Sequence, residues 1–169
     1  MNRGTLSGFG RPPQKLLATP SQPPTVMTSG TGVFEPKAGT LWLRVRKWGA
    51  GGASGSAISG TGTYGVVMPG GRGQYTEEWI KNTLLTYSWQ VGAGGVAPSG
   101  VGGNTTFSNT TPALGGKGSS SGLGAGAFAP GLPAADVGPG AGGAPGVAYN
   151  GNSITGTNGN DGLIIVEEY

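Results

Sequence analysis

Between Gly92 and Gly162 glycine recurs at almost every second or third position, and this spacing restricts the possible folds more than any other feature. Collagen requires glycine at strictly every third residue, because nothing larger fits its axis. The run Val91-Gly-Ala-Gly-Gly-Val-Ala-Pro-Ser-Gly breaks that register at once. Strand-like runs flank the stretch, Leu41-Trp-Leu-Arg-Val-Arg before it and Leu163-Ile-Ile-Val after it, and they predict a folded region rather than a loose linker. The chain holds 38 glycines and 13 prolines in 169 residues, a composition usually associated with disorder. Charge argues the other way: ten basic and seven acidic side chains give a net charge of only +3, whereas disordered chains stay open through high net charge and low hydrophobicity. Four Trp, five Tyr and four Phe supply large anchors for a single domain. With so many residues lacking a side chain, backbone packing must provide much of the cohesion.

Cysteine and histidine are both absent, which excludes disulfides, thiolate nucleophiles, imidazole bases and the common zinc ligand sets. No apolar run resembles a signal-peptide core or a membrane span, so synthesis in a cytoplasm without membrane insertion is expected. The carboxylates come as sequence neighbours, Glu77 with Glu78 and Glu167 with Glu168. On strands each pair points to opposite faces and does not converge as an acid and a base would. Two matches to G-x-G-x-x-G, Gly60-Thr-Gly-Thr-Tyr-Gly and Gly138-Pro-Gly-Ala-Gly-Gly, lack the strand-to-helix context that places a pyrophosphate. Gly116-Lys117-Gly118 lacks the Ser or Thr that a P-loop needs after its lysine. No catalytic residue, cofactor, metal ligand or nucleic-acid site is expected.

Residues 1–33 read as an extended arm, because Pro12, Pro13, Pro20, Pro23 and Pro24 disfavour helix and central strand alike. The arm carries Arg3, Arg11 and Lys15 and no acidic residue. Its apolar positions, notably Phe9, Leu16, Leu17, Val26 and Met27, suit a segment lying in another protein's groove; a disordered terminus is the competing reading. Residues 34–169 form the domain. In Leu41–Trp48 alternation puts Leu41, Leu43 and Val45 on one face and Trp42, Arg44, Arg46 and Trp48 on the other. The second face suits stacking on glycans or bases, but cover by a second packed layer is the favoured reading. Further strands are predicted over Tyr75–Ile80, Tyr87–Val91, a short segment ending at Phe107, and Leu163–Val166. From Pro112 to Asn160 no strand pattern is visible. Packed polyproline-II segments, a bundle of turns and a disordered loop are the three readings there.

The ordered blocks Leu41-Trp-Leu-Arg-Val-Arg-Lys-Trp-Gly-Ala-Gly-Gly, Gly73-Gln-Tyr-Thr-Glu-Glu, Tyr87-Ser-Trp-Gln-Val-Gly-Ala-Gly-Gly, Gly103-Asn-Thr-Thr-Phe, Leu114-Gly-Gly-Lys-Gly and Asn160-Asp-Gly-Leu-Ile-Ile-Val-Glu together resemble the glycine-rich domain of tailed-bacteriophage tail fibres. The resemblance covers roughly residues 34–169. Ala, Ser and Pro interrupt the glycine between Gly118 and Gly146, where many members of the family have longer uninterrupted runs. The resemblance implies an all-β, β-sandwich-like domain with packed polyproline-II segments, behind an N-terminal arm that docks on other virion proteins. It implies a virion structural protein on the outside of the tail or capsid, a short tail fibre or fibre tip that contacts a host receptor as a homo-oligomer, with a trimer favoured. A capsid or tail decoration protein without receptor binding is the alternative. Loop tips between Gly55 and Gly70 and between Gly118 and Pro145 are the expected host-contact regions.

Overall fold

The computed structural model describes residues 19–119 and 137–169, together with the backbone of 121–124. The expected all-β class is what the structure has, and its strands collect at two ends of the molecule. At one end, here the base, β1 (Thr25–Met27), β12 (Leu163–Glu168), β3 (Trp42–Trp48) and β6 (Tyr75–Lys81) form an antiparallel sheet in that order. A second antiparallel sheet, β2 (Thr31–Phe34), β7 (Tyr87–Gln90) and β8 (Thr106–Phe107), packs against it. Alternation drives the pairing: Leu43 and Val45 of β3, Ile164 and Val166 of β12 and Met27 of β1 meet Phe34, Tyr87 and Phe107 from the opposing sheet. Phe107 is the hinge of this core, stacked on Tyr87 at 5.4 Å and tilted against Phe34 at 6.0 Å. The Tyr87 hydroxyl remains satisfied inside, donating to Asn82 Oδ1 at 3.0 Å and accepting from Thr83 N–H at 3.1 Å. Gly32 leaves room for the Trp89 indole, which lies 2.7 Å from where a Cβ would stand.

The structure moves the expected boundary between arm and domain. Position 33/34 falls inside β2, and β1 is an edge strand of the base sheet, paired Val26 to Ile165 and Met27 to Ile164. Met27 is 8% exposed and belongs to the core, while Val26 is 54% exposed on the outer face. Phe9, Leu16 and Leu17 lie outside the described residues.

Above the base the chain forms a bundle without sheet ladders. Segment 49–54 is its axis, and its amides donate to three neighbours in rotation. Gly49 and Gly52 donate to Gln74 and Gly71, Ala50 and Ala53 to Gly103 and Gly100, Gly51 and Ser54 to Asn160 and Thr157. A repeat of three residues per turn is that of a polyproline-II helix, which has no internal hydrogen bonds and must find its partners on neighbouring chains. The axial carbonyls complete the pattern: Ala50 and Ala53 accept from Gly116 and Ser119, Gly51 and Ser54 from Gly95 and Ser99, and Gly52 from Gly143. The axis therefore donates to three antiparallel segments and accepts from three parallel ones. Those six also bond to each other in a closed ring, through Gly73 to Gly140, Asn160 to Ala141, Gly159 to Gly95, Gly103 to Ala93, Gly102 to Gly116 and Gly71 to Lys117.

This packing explains the glycine. A Cβ on Gly51 or Gly52 would fall on the carbonyl of Ala141 or Lys117, closer than any non-bonded contact allows. The bundle draws on 49–54, 70–74 and 93–103 as well as on 113–119, 140–143 and 157–162, so packed polyproline-II segments, one of the three readings open for Pro112–Asn160, extend well outside that stretch. That region also supplies strands that its sequence pattern did not reveal, β9 (Ser121–Gly124), β10 (Gly146–Tyr149) and β11 (Ser153–Ile154). With β4 (Ala57–Ile58) and β5 (Tyr64–Val67) they form the small sheets β10-β5-β9 and β11-β4 at the end opposite the base, here the tip.

Candidate functional site

The fold separates two ends that differ in chemistry. At the tip, two turns are clamped to each other. Asn150 and Gly151 both take positive φ, 53° and 83°, and Asn152 N–H closes the turn on Tyr149 O, the tight two-residue turn conformation that Asn-Gly favours, here carrying the chain from β10 in one small sheet to β11 in the other. In the second turn Gly62 has φ 70° and Thr63 N–H bonds Gly60 O. Gly62 N–H donates to Asn150 Oδ1 at 3.1 Å, Asn150 N–H to Thr63 O and Gly151 N–H to Gly60 O. Beside them the rings of Tyr64 and Tyr149 pack at 4.5 Å, and Ile58, Met68 and Tyr149 are exposed. The first G-x-G-x-x-G match is thus a turn at the tip that leads from β4 in one small sheet to β5 in the other, and no helix occurs among the described residues. The expected host-contact ranges 55–70 and 118–145 reach this end through β4, β5 and β9; residues 120 and 125–136 lie outside the described residues.

At the base, the outer face of the four-stranded sheet carries the Trp and Arg side chains singled out from β3. Among the described residues no second layer covers them, contrary to the favoured expectation. Cross-strand partners shield them instead. Trp48 packs on Tyr75 at 4.8 Å and Trp79 on Tyr169 at 4.9 Å, with Arg44 over the Trp79 ring at 5.8 Å. Arg44 bonds Glu77 at 2.9 Å and Glu167 at 3.1 Å, and Arg46 bonds Glu167 at 2.7 Å. The missed signal was cross-strand: pairing β3 with β6 and β12 places Glu77 opposite Arg46 and Glu167 opposite Arg44. Hydrogen bonds from Arg44 and Tyr75 hold the Glu77 carboxyl below its ordinary value of 4.5, and the same carboxylate raises Arg44. Burial pushes both Tyr75 and Tyr169 hydroxyls up.

The adjacent glutamates diverge as the sequence predicts. Glu77 and Glu167 join the outer network, Glu78 turns inward to Lys47 at 3.4 Å, and Glu168 accepts from Thr40 Oγ1 at 2.7 Å and Lys37 N–H at 2.8 Å. The Lys47 side chain is 0% exposed. Its ammonium also reaches Thr110 Oγ1 and Thr111 O, tying the first sheet to the turn after β8, and burial lowers its pKa. Among the described residues no cluster of three or more acidic, His or Cys side chains has the geometry to hold a metal, and no helix is long and apolar enough to cross a membrane.

The Glu77 network makes the base sensitive to acid. A depressed folded-state pKa contributes stability that is fully present above the ordinary value of 4.5 and is lost as pH falls through the folded value. Denaturant midpoints of wild type and Glu77→Gln should differ by a constant amount above that pH and converge below it. A gap that is unchanged at low pH would show that Arg44 does not stabilise the charged form.

No protein-family model matches the chain, and no curated protein matches its sequence.

Proposed function

We propose that this chain is a bacteriophage virion structural protein, a short tail fibre or fibre-tip component that docks through its N-terminal segment and takes part in host attachment through its tip. The observation that carries this reading is the polarity of the molecule. Ser21 N–H donates to Glu168 O, and Tyr169 pairs with Trp42, so the N-terminal segment and the C-terminal strand both meet the domain at the base. The clamped turns and the Tyr64–Tyr149 pair, with Tyr149 exposed, lie at the other end, beyond the glycine bundle. An anchoring segment at one end, a stiff hydrogen-bonded spacer and a side-chain-rich far end suit a protein that holds a contact surface away from a particle.

Residues 1–18 are the part of the arm that can dock without dismantling the base sheet, since β1 and β2 belong to the domain. Deleting 1–18 should abolish incorporation into particles, measured by the protein content of purified virions. Preincubating host cells with the purified chain should reduce phage adsorption, and a Tyr64→Ala/Tyr149→Ala double variant should lose that competition while keeping the wild-type circular dichroism. If the wild-type chain leaves adsorption unchanged but particles lacking it are fragile, a decoration protein is the correct reading.

A further inference from the structure

A second site lies far from the tip, on the open side of the base sandwich between edge strand β6 and the turn after β8. It is a cavity of about 380 Å³ walled by Trp42, Trp79 and Tyr87, with Lys81, Thr83 and Asn109 at its rim, and its size falls within the range that holds small ligands. The indole walls are held in place, Trp79 by Tyr169 and Arg44, and Trp42 on β3 opposite Lys81 of β6. Tyr87 is fixed by its bonds to Asn82 and Thr83 N–H. The rim is different. The Lys81 ammonium, the Thr83 hydroxyl and the Asn109 carboxamide make no hydrogen bond or ion pair with any described residue, whereas Arg44, Arg46 and Lys47 are all paired with carboxylates. Asn109 has φ 61°, so a constrained backbone sets its side chain at the rim.

We propose that this cavity binds a carboxylated sugar, a uronic acid or a related acidic glycan unit. The indole walls suit the apolar face of a pyranose ring, while the buried Tyr87 closes the cavity from the core side. The hydroxyl and carboxamide each donate and accept, as do sugar hydroxyls, and Lys81 supplies one charge-assisted contact for a carboxylate. A nucleic-acid strand would need several free cations along its backbone, and this rim has one. An acidic peptide side chain would engage the ammonium but leave the hydroxyl and carboxamide without matched partners.

The test follows the indole N–H signals of Trp42 and Trp79 by NMR as the full chain is titrated with glucuronic acid, glucose and N-acetylaspartate amide. Glucuronic acid should shift both indoles saturably with a dissociation constant of about 1 mM, and glucose should bind about tenfold more weakly. Lys81→Gln should abolish that preference while leaving glucose binding unchanged. Asn109→Gly, which keeps the positive φ, should weaken both sugars. Equal binding of glucose and glucuronic acid by wild type, equally tight binding of N-acetylaspartate amide, or no shift of either indole would each overturn the proposal. These outcomes are independent of whether the tip contacts a host.

Discussion

Gly52→Ala is expected to leave the chain largely unfolded under conditions in which wild type is fully native. The added methyl would occupy the position of the Lys117 carbonyl, which is rigid backbone and cannot rotate away. Moving segment 113–119 aside would strain Ala50 and Ala53, which accept from Gly116 and Ser119. Moving the axis instead would break the bonds of Gly52 with Gly71 and Gly143. The expected loss is about 4 kcal/mol or more, a large share of the roughly 5–15 kcal/mol that holds a domain together. At Gly60 a Cβ meets only Thr63 Oγ1, at 3.2 Å, so Gly60→Ala should change stability by less than about 1 kcal/mol. Denaturant titration of the two variants separates close backbone packing from a general intolerance of alanine, and equal small effects would refute the packing.

Phe107→Ala is the next largest effect. Phe107 is almost wholly buried, and its ring packs on both Phe34 and Tyr87, themselves cross-strand partners, within the base core. Truncation removes an aromatic ring and leaves a cavity between two sheets that cannot collapse without breaking β7–β8 pairing, at a cost of about 3–5 kcal/mol. For a chain of this size that lowers the melting temperature by about 10 °C. Calorimetry should show the loss as one cooperative transition, because the base strands run directly into the bundle segments: β3 into 49–54, and 157–162 into β12. A separate early transition of the base would show that the two parts fold independently.

The strands of the base were legible because their side chains alternate. Leu43 and Val45, Tyr87 and Trp89, and Ile164 and Val166 all carry the two-residue period, and the structure places each set on the inner face. β1 and β2 were hidden by the prolines before them and by Gly32, where the Trp89 ring fills the space of the missing side chain. At the tip the Asn150-Gly151 pair marks a tight turn, but its flanking strands pair elsewhere, β10 with β5 and β11 with β4, so the pair alone does not reveal the sheets. The bundle was the hardest part to read. Its rule is glycine every third residue within a short segment, as in Gly49-Gly52-Gly55, Gly92-Gly95 and Gly156-Gly159-Gly162, with the register reset at each loop. A search for one continuous period rejects collagen and misses seven short segments that each obey its spacing. The β6 cavity left no pattern in the sequence at all, since Trp42, Lys81 and Asn109 meet only through sheet pairing and the turn after β8.

Amide hydrogen exchange across residues 50–54 tests the hydrogen-bonded bundle most directly. These residues lie in no β-strand, yet the N–H groups of Ala50, Gly51, Gly52, Ala53 and Ser54 all have carbonyl partners on neighbouring segments. They should exchange as slowly as the amides of β3 and β12, in the same cooperative unit. Exchange at the rate of an unstructured glycine-rich peptide would contradict the bundle, and with it the spacer on which the proposed separation of anchor and tip depends.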